Sequence, residues 1–185
     1  MDDYALLKKL YRHLNIKELL ESEPGLSKQD IDTFFREIRD ALGIMPAGKR
    51  FKVKALMLYT DGASRGNPGP AAVGCVLKDN NGNTLLEQGR AIGKATSNVA
   101  EYQALLHGLD LAAQFAPESL AIYSDSELLI KQMTGAYKTK NKKLRTLKDK
   151  VIIKLKQFRK YSFTAIRREQ NAAADALANK ALDEK

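Results

Sequence analysis

Two dense turn signals set among strand-forming residues constrain this chain more than any other feature. Residues 53–60 carry a β-like pattern that runs into Asp61-Gly62, and Gly66-Asn67-Pro68-Gly69-Pro70 follows at once. Glycine admits backbone conformations other residues avoid and proline fixes one dihedral, so such a cluster turns the chain sharply. Residues 71–78 are an apolar strand candidate, Asn80-Asn81-Gly82-Asn83 a hairpin turn and residues 84–92 the return strand. Three strands joined this way predict an antiparallel meander.

Beyond the meander the period changes. Residues 98–114 place Val99, Tyr102, Leu105, Leu106, Leu109 and Ala113 on one helical face. Leu120-Ala121-Ile122-Tyr123 is a short buried strand, residues 126–134 a helix closed by Gly135, and residues 142–160 a strongly basic helix. Residues 161–166 alternate like a strand, and residues 171–183 make a final Ala-rich helix. The order βββαβααβα predicts an α/β (α+β mixed) fold in which crossover connections add parallel strands to the meander. This domain is expected over residues 53–185, after a linker at 46–52 and a small helical module at 1–45. In the module, Leu6, Leu7, Leu10 and Leu14 recur at helical spacing until Pro24-Gly25 interrupts them. Ser27 then caps a second helix, with Asp30 completing a capping box, Ile31, Phe34, Phe35, Ile38 and Leu42 on one face and Gly43 as its stop.

Charge divides along the same boundary. Residues 1–50 hold nine basic and nine acidic side chains, so the net charge of +9 belongs wholly to the rest. Residues 131–168 hold 14 basic side chains and one acid, Asp149. A solvated helix face mixes both signs, and so one-sided a block points to a polyanionic partner. The lone Cys75 excludes an internal disulfide and any multi-cysteine zinc site, and suits a reducing compartment. The acidic start, Met1-Asp2-Asp3-Tyr4, carries no signal-like apolar run, and no stretch approaches the ~18 apolar residues of a membrane span. The expectation is a cytoplasmic protein with no membrane partner.

Four acids stand at places where chemistry and local structure compete. Asp61 closes the first strand before a turn; Glu101 follows Asn98 at capping-box spacing; Asp125 lies where a strand gives way to a helix; Asp175 sits in the first turns of the last helix. Each has an ordinary role available, as turn residue, cap or helix-dipole partner. Together they differ, because two lie at the C-terminal ends of neighbouring strands, the usual place for sites in α/β sheets, and two near helix starts that can face the same edge. Four converging oxygen donors, with no Cys or His cluster, suit hard divalent cations. Beside a basic segment, they suggest metal-assisted chemistry on a phosphodiester.

These residues also carry a resemblance. Tyr59-Thr60-Asp61-Gly62-Ala63-Ser64-Arg65-Gly66-Asn67-Pro68-Gly69, Thr96-Ser97-Asn98-Val99-Ala100-Glu101-Tyr102, Tyr123-Ser124-Asp125-Ser126 and Asn171-Ala172-Ala173-Ala174-Asp175-Ala176-Leu177-Ala178 occur in that order. In these motifs the sequence resembles ribonuclease H type 1 (ribonuclease HI) over roughly residues 53–183, about 70% of the chain. The resemblance implies a five-stranded mixed sheet flanked by helices and endonucleolytic cleavage of the RNA strand of an RNA–DNA hybrid, with two divalent ions, Mg²⁺ or Mn²⁺. It implies that Asp61, Glu101, Asp125 and Asp175 are the metal-binding catalytic carboxylates, with Asp61 bridging both ions and Glu101 also touching the ribose 2′-OH. It further implies substrate contacts from Gly62, Asn67, Thr96, Ser97, Asn98 and Ser126. Short polar side chains of this kind suit the wide, shallow minor groove of an A-like duplex.

The chain departs from the pattern twice. Many relatives carry a His before the last aspartate, where this chain reads Arg167-Arg168-Glu169-Gln170-Asn171; His13 and His107 lie elsewhere and read as surface helix residues. Arg167 or Glu169 is the expected stand-in. There is also no Trp-rich basic handle; Lys138, Lys140, Lys142, Lys143, Arg145 and Lys148 form a compact basic stretch instead, expected on DNA-strand phosphates. Residues 1–45 fall outside the resemblance and, lying in the net-neutral first 50 residues, read as a module for a protein partner or self-association. Two other functions compete: a non-catalytic hybrid-binding protein that kept the fold, and a DNA nuclease or strand-transfer enzyme on a related fold.

Overall fold

Residues 55–95 build three long strands, β1 (Ala55–Ser64), β2 (Gly69–Asp79), which is buried throughout residues 71–77, and β3 (Thr84–Ala95). β1 pairs antiparallel with β2, and β2 with β3. Asp79 makes the second turn by accepting the backbone N–H groups of Asn81 and Asn83 at 2.8 and 2.9 Å, while Gly82 takes φ +84°. The structure, a computed structural model, describes residues 10–11, 13–41 and 53–184. The expectations at Leu6, Leu7, Leu42, Gly43 and residues 46–52 lie outside these.

Two crossovers complete the sheet. β4 (Ser119–Ser124) pairs parallel with β1, and β5 (Tyr161–Ala165) parallel with β4, giving the order β3-β2-β1-β4-β5. This is the mixed five-stranded sheet the element order implied. In the unit Met1–Arg50, Ile16–Ser22 form α1 and Lys28–Ala41 form α2. Unit Phe51–Lys185 carries the sheet with α3 (Ser97–Ala113), α4 (Glu127–Met133), α5 (Lys142–Leu155) and α6 (Ala172–Asp183), the last preceded by a 3₁₀ turn at Arg168–Asn171.

The sheet is covered on both sides. α3 packs on one face, where its Gly108 lies against the Leu58 and Thr60 side chains. α6 packs on the other, across β1, β2 and β3. A Cβ on Gly74 would meet the Ala174 carbonyl oxygen at 2.0 Å, and one on Gly89 the Leu177 oxygen at 2.4 Å. These paired glycines form a bare track into which the Ala-rich α6 settles. α5 packs on α3 through Leu144, Leu147, Val151 and Leu155. It stops at Leu155 rather than near residue 160, because buried Phe158 anchors the turn into β5.

In the first unit Ser27 and Asp30 form the expected capping box, with Asp30 N–H on Ser27 Oγ at 3.2 Å and Ser27 N–H on Asp30 Oδ2 at 2.8 Å. Ile31 is buried, and Phe35 packs edge-on against Tyr11 at 4.9 Å. Phe34 departs from the expected face and is 57% exposed. Among the described residues no helix is long and apolar enough to cross a membrane.

Candidate active site

β1 pairs with β4 only as far as Tyr59↔Tyr123, but with β2 as far as Ser64↔Ala71. Asp61 therefore lies within β1 and not at its end, a correction to the turn reading. Its position is set by the β4 pairing, which stops two residues before it. Asp125 directly follows the last residue of β4, so the two acids share one corner of the sheet. Asp61 is 6% exposed. Burial, then the charges of Asp125 and Asp175, push its carboxyl up to about 7, while Arg168 acts in the opposite sense.

Glu101 comes from the opposite layer. The N-cap of α3 is Thr96, whose Oγ1 accepts from Val99 N–H at 3.4 Å. The Asn98–Glu101 capping box is thus not formed, and Glu101 is left to the corner. Burial, then Asp61 and Asp125, hold its carboxyl well above the usual carboxylate range, opposed by the Gly62 N–H bonded to it. Its Oε2 is enclosed and has no hydrogen-bond partner. Gly62 explains the close approach: a Cβ there would lie 2.2 Å from Ala100 C and Glu101 N. The structure places Gly62 buried beneath α3, so its evident part is to admit the helix.

Asp125 does not cap α4; Ser126 does, accepting from Leu129 N–H at 3.4 Å. Asp125 Oδ1 instead accepts from Asn171 Nδ2 at 2.7 Å, and the same amide donates to the Thr60 carbonyl at 3.0 Å. Asn171, 1% exposed, therefore ties β1 to the β4 acid. Asp175 sits in the first turn of α6, accepting Arg168 Nη2 at 2.9 Å and Asn179 Nδ2 at 3.2 Å.

The donor set fits a hard divalent cation. It is all oxygen, it includes an enclosed carboxylate oxygen without a partner, and its mutual repulsion is what a bound cation relieves. As the side chains stand, no three His, Cys, Asp or Glu groups among the described residues are gathered closely enough to enclose an ion. Asn171 holds Asp125, and Arg168 and Asn179 hold Asp175, through their own donors.

On one flank, Asn67, Thr96, Asn98 and Lys143 share a cavity of about 230 Å³ with Asn141, Val99 and Leu144. Ser97, Lys140 and Lys142 are exposed outside this lining. Asn141 caps α5, accepting from Leu144 N–H at 3.1 Å. Arg145 and Lys148 are engaged internally, on the Thr139 and Gln132 carbonyls. In the loop before Asp175, Arg167 and Glu169 are exposed, and Arg167 N–H donates to Gln170 Oε1 at 3.0 Å. Arg168 is the one that reaches a carboxylate. His13 is exposed, whereas His107 is not a surface residue: it is half-buried with Nε2 2.8 Å from Gln88 Oε1.

Sequence reasoning assigns no role to Arg168, Asn171 or Asn141. Asn141 carries a usable signal, an Asn before a helix start; Asn171 has only its offset of four residues from Asp175; Arg168 is indistinguishable from Arg167.

Sheet order, helices on both faces and acids from both layers at one corner define a ribonuclease H-like fold and site. Residues 59–181 match the family described as reverse transcriptase-like. A ribonuclease HI of Halobacterium salinarum is 48% identical over 126 residues, 68% of this chain and 63% of that protein. The crystal structure of RNase H1 from Halobacterium salinarum superposes with a TM-score of 0.70 and 46% identity, over 71% of this chain and 99% of that one. LC11-RNase H1, in complex with RNA/DNA hybrid, gives a TM-score of 0.68 and 40% identity over 70% and 97% of the two chains. The chain belongs to the ribonuclease HI family. It spans less than two thirds, 63%, of the length of the curated Halobacterium relative.

Proposed function

We propose that this protein is an endoribonuclease that hydrolyses the RNA strand of RNA–DNA hybrids with two divalent ions, Mg²⁺ or Mn²⁺. The observation that carries it is the corner itself: four carboxylates from β1, α3, β4 and α6, including an enclosed oxygen without a partner on Glu101. The family supports the substrate class, since the related LC11-RNase H1 has been solved with an RNA/DNA hybrid.

Asp61, Glu101, Asp125 and Asp175 would hold the ions, which supply activation of water and stabilisation of the leaving oxygen in an in-line displacement. The chain's own residues prepare that site. Gly62 lets α3 bring Glu101 against β1, Asn171 fixes Asp125, and Arg168 with Asn179 orients Asp175. Glu101, from the layer opposite Asp61, is the acid proposed to meet the ribose 2′-OH, the group that separates RNA from DNA. Thr96, Ser97, Asn98 and Asn67 would follow the duplex, with Ser126 and Arg167 at its other margin. Lys140, Lys142 and Lys143 would take DNA-strand phosphates. Cations in the first turn of a helix oppose its dipole, by about 0.3–1 kcal/mol each, and α5 carries no acid there to offset them. A polyanion at that helix start would relieve the mismatch. A cytoplasmic setting is proposed with the function.

The test is a labelled hybrid beside all-DNA and all-RNA duplexes, in Mg²⁺ or Mn²⁺. Cleavage confined to the hybrid's RNA strand is expected. Asp61→Asn should abolish it, by at least a hundredfold, with hybrid binding retained. Binding with no cleavage in either metal would instead identify a hybrid-binding protein, and DNA cutting a DNA nuclease.

A further inference from the structure

α6 covers β1, β2 and β3 on its face of the sheet, and leaves the β4–β5 side of that face to short side chains. There Tyr59 of β1 and Tyr123 of β4 lie directly opposite one another and stack, with centroids 4.8 Å apart and planes at 17°. Lys78 Nζ sits 5.4 Å from the Tyr59 centroid, on the β2 side. Lys78 is paired with Met57 and reaches the Tyr59 ring diagonally, so the cross-strand row itself is Tyr59 and Tyr123. Its next position, opposite Tyr123 on β5, is Thr164, which is exposed and too small to continue a stack. The outer face of the Tyr123 ring is thus the open end of an aromatic column. Ser162 stands two residues along β5, also exposed, and adds a second hydroxyl to the same face.

We propose that the outer face of Tyr123 is a stacking platform for an unpaired nucleobase, supplied by a single-stranded tail that continues from the duplex at the carboxylate corner. Three features choose this occupant. The platform is continuous with the site, because Tyr59 precedes Asp61 by two residues within β1 and so shares its face, about 7 Å away along the strand, while Tyr123 lies next to the end of β4 that Asp125 follows. The charge suits a nucleic-acid strand: Lys78 lies at the closed end of the column and Arg159 and Lys160, both exposed, lead into β5. The geometry suits a base, since aromatic rings on an open sheet face are a recurrent support for unstacked bases, while the flanking Ser and Thr hydroxyls can meet base edges or sugar. A cross-strand tyrosine pair also packs a sheet. Packing alone does not require the last position of the row to be a small, exposed residue.

The platform rests on the hybrid-nuclease reading, and the experiment separates the two. Dissociation constants are measured by anisotropy in an Asp61→Asn background for a blunt hybrid and for hybrids carrying a short single-stranded tail at each of the four ends in turn. Wild-type Tyr123 should bind one tailed hybrid about tenfold tighter than the blunt one, as expected for one stacked base. The end that gives the advantage names the strand that supplies the tail. Tyr123→Leu, which keeps bulk but loses the ring, should remove the advantage. So should Thr164→Tyr, which fills the open position and does not depend on removing a packed side chain. An abasic tail should bind like the blunt hybrid. Equal affinity for blunt and all tailed hybrids, or an advantage that survives the abasic tail or both variants, overturns the proposal. Cleavage of the blunt hybrid by the otherwise wild-type enzyme reports separately on the function.

Discussion

Arg168 does at the site what neither of its neighbours does. Its guanidinium bonds Asp175 at 2.9 Å, and its charge reaches Asp61 as well. Arg167 spends its backbone N–H on Gln170 and keeps its side chain in solvent. Arg168→Ala should lower turnover about tenfold or more, the usual effect of removing a residue that orients a metal ligand, the part proposed for Asp175. Arg167→Ala should lower it less; steady-state kinetics on both variants decides the order. His107 is a different case, because burial, then the nearby Arg90 charge, bring its pKa down to about 4. The unfolded chain takes up this proton near pH ~6.5, whereas the folded protein resists until about 4. His107 thus contributes stability that is present above pH ~6.5 and is lost as pH falls toward 4. His107→Gln should flatten the dependence of the urea midpoint on pH across that window.

At the scale of elements, helix position is set by missing side chains. Gly62 admits α3, and Gly74 with Gly89 admits α6; each approach is closer than any Cβ tolerates. α6 carries Asp175, so its seating on the sheet also sets the fourth carboxylate. Gly74→Ala should cost about 1–3 kcal/mol or more, the usual range for overpacking. The loss is read from the denaturant midpoint, and cleavage should fall at temperatures where the variant is still folded, because the helix must rise off β2. The turn signals foretold the meander well, since turn chemistry at residues 66–70 and 80–83 is local and does not depend on a packing partner. The sequence pattern misplaced the end of β1, because β1 runs on to Ser64 by pairing with β2 after its pairing with β4 has stopped at Tyr59. It likewise chose Asn98 and Asp125 as caps, whereas Thr96 and Ser126 hold those places. Cap identity depends on backbone dihedrals at one residue, and several polar residues in a row leave the choice open.

Over the whole molecule, charge and fold are partitioned together. The neutral first unit, Met1–Arg50, lies outside the residues that match the family, and we propose it as a module for a protein partner or for self-association. The second unit carries the entire excess, yet not all of its basic block is available. Arg145 and Lys148 are bonded to backbone carbonyls, and Lys154 to Asp110, leaving Lys138, Lys140, Lys142 and Lys143 exposed around the start of α5. Changing these four to Gln should flatten the salt dependence of hybrid affinity by roughly 0.7–0.9 in log–log slope for each phosphate that is no longer neutralised. Thermal stability should hold or rise slightly, because the helix dipole is relieved. An unchanged slope would place the duplex elsewhere.

The sequence by itself determined the meander, the crossovers that follow it and the location of the excess charge. All three follow from information carried locally: period, turn chemistry and residue type. Only the tertiary structure decided that Asn171 bridges Thr60 and Asp125, that Arg168 rather than Arg167 meets Asp175, and that Tyr59 and Tyr123 stack with an open neighbour. Those contacts join residues far apart in the chain or choose between adjacent equals. What selects them is strand register and the depth to which each helix sinks onto the sheet, and both are properties of packing rather than of any segment.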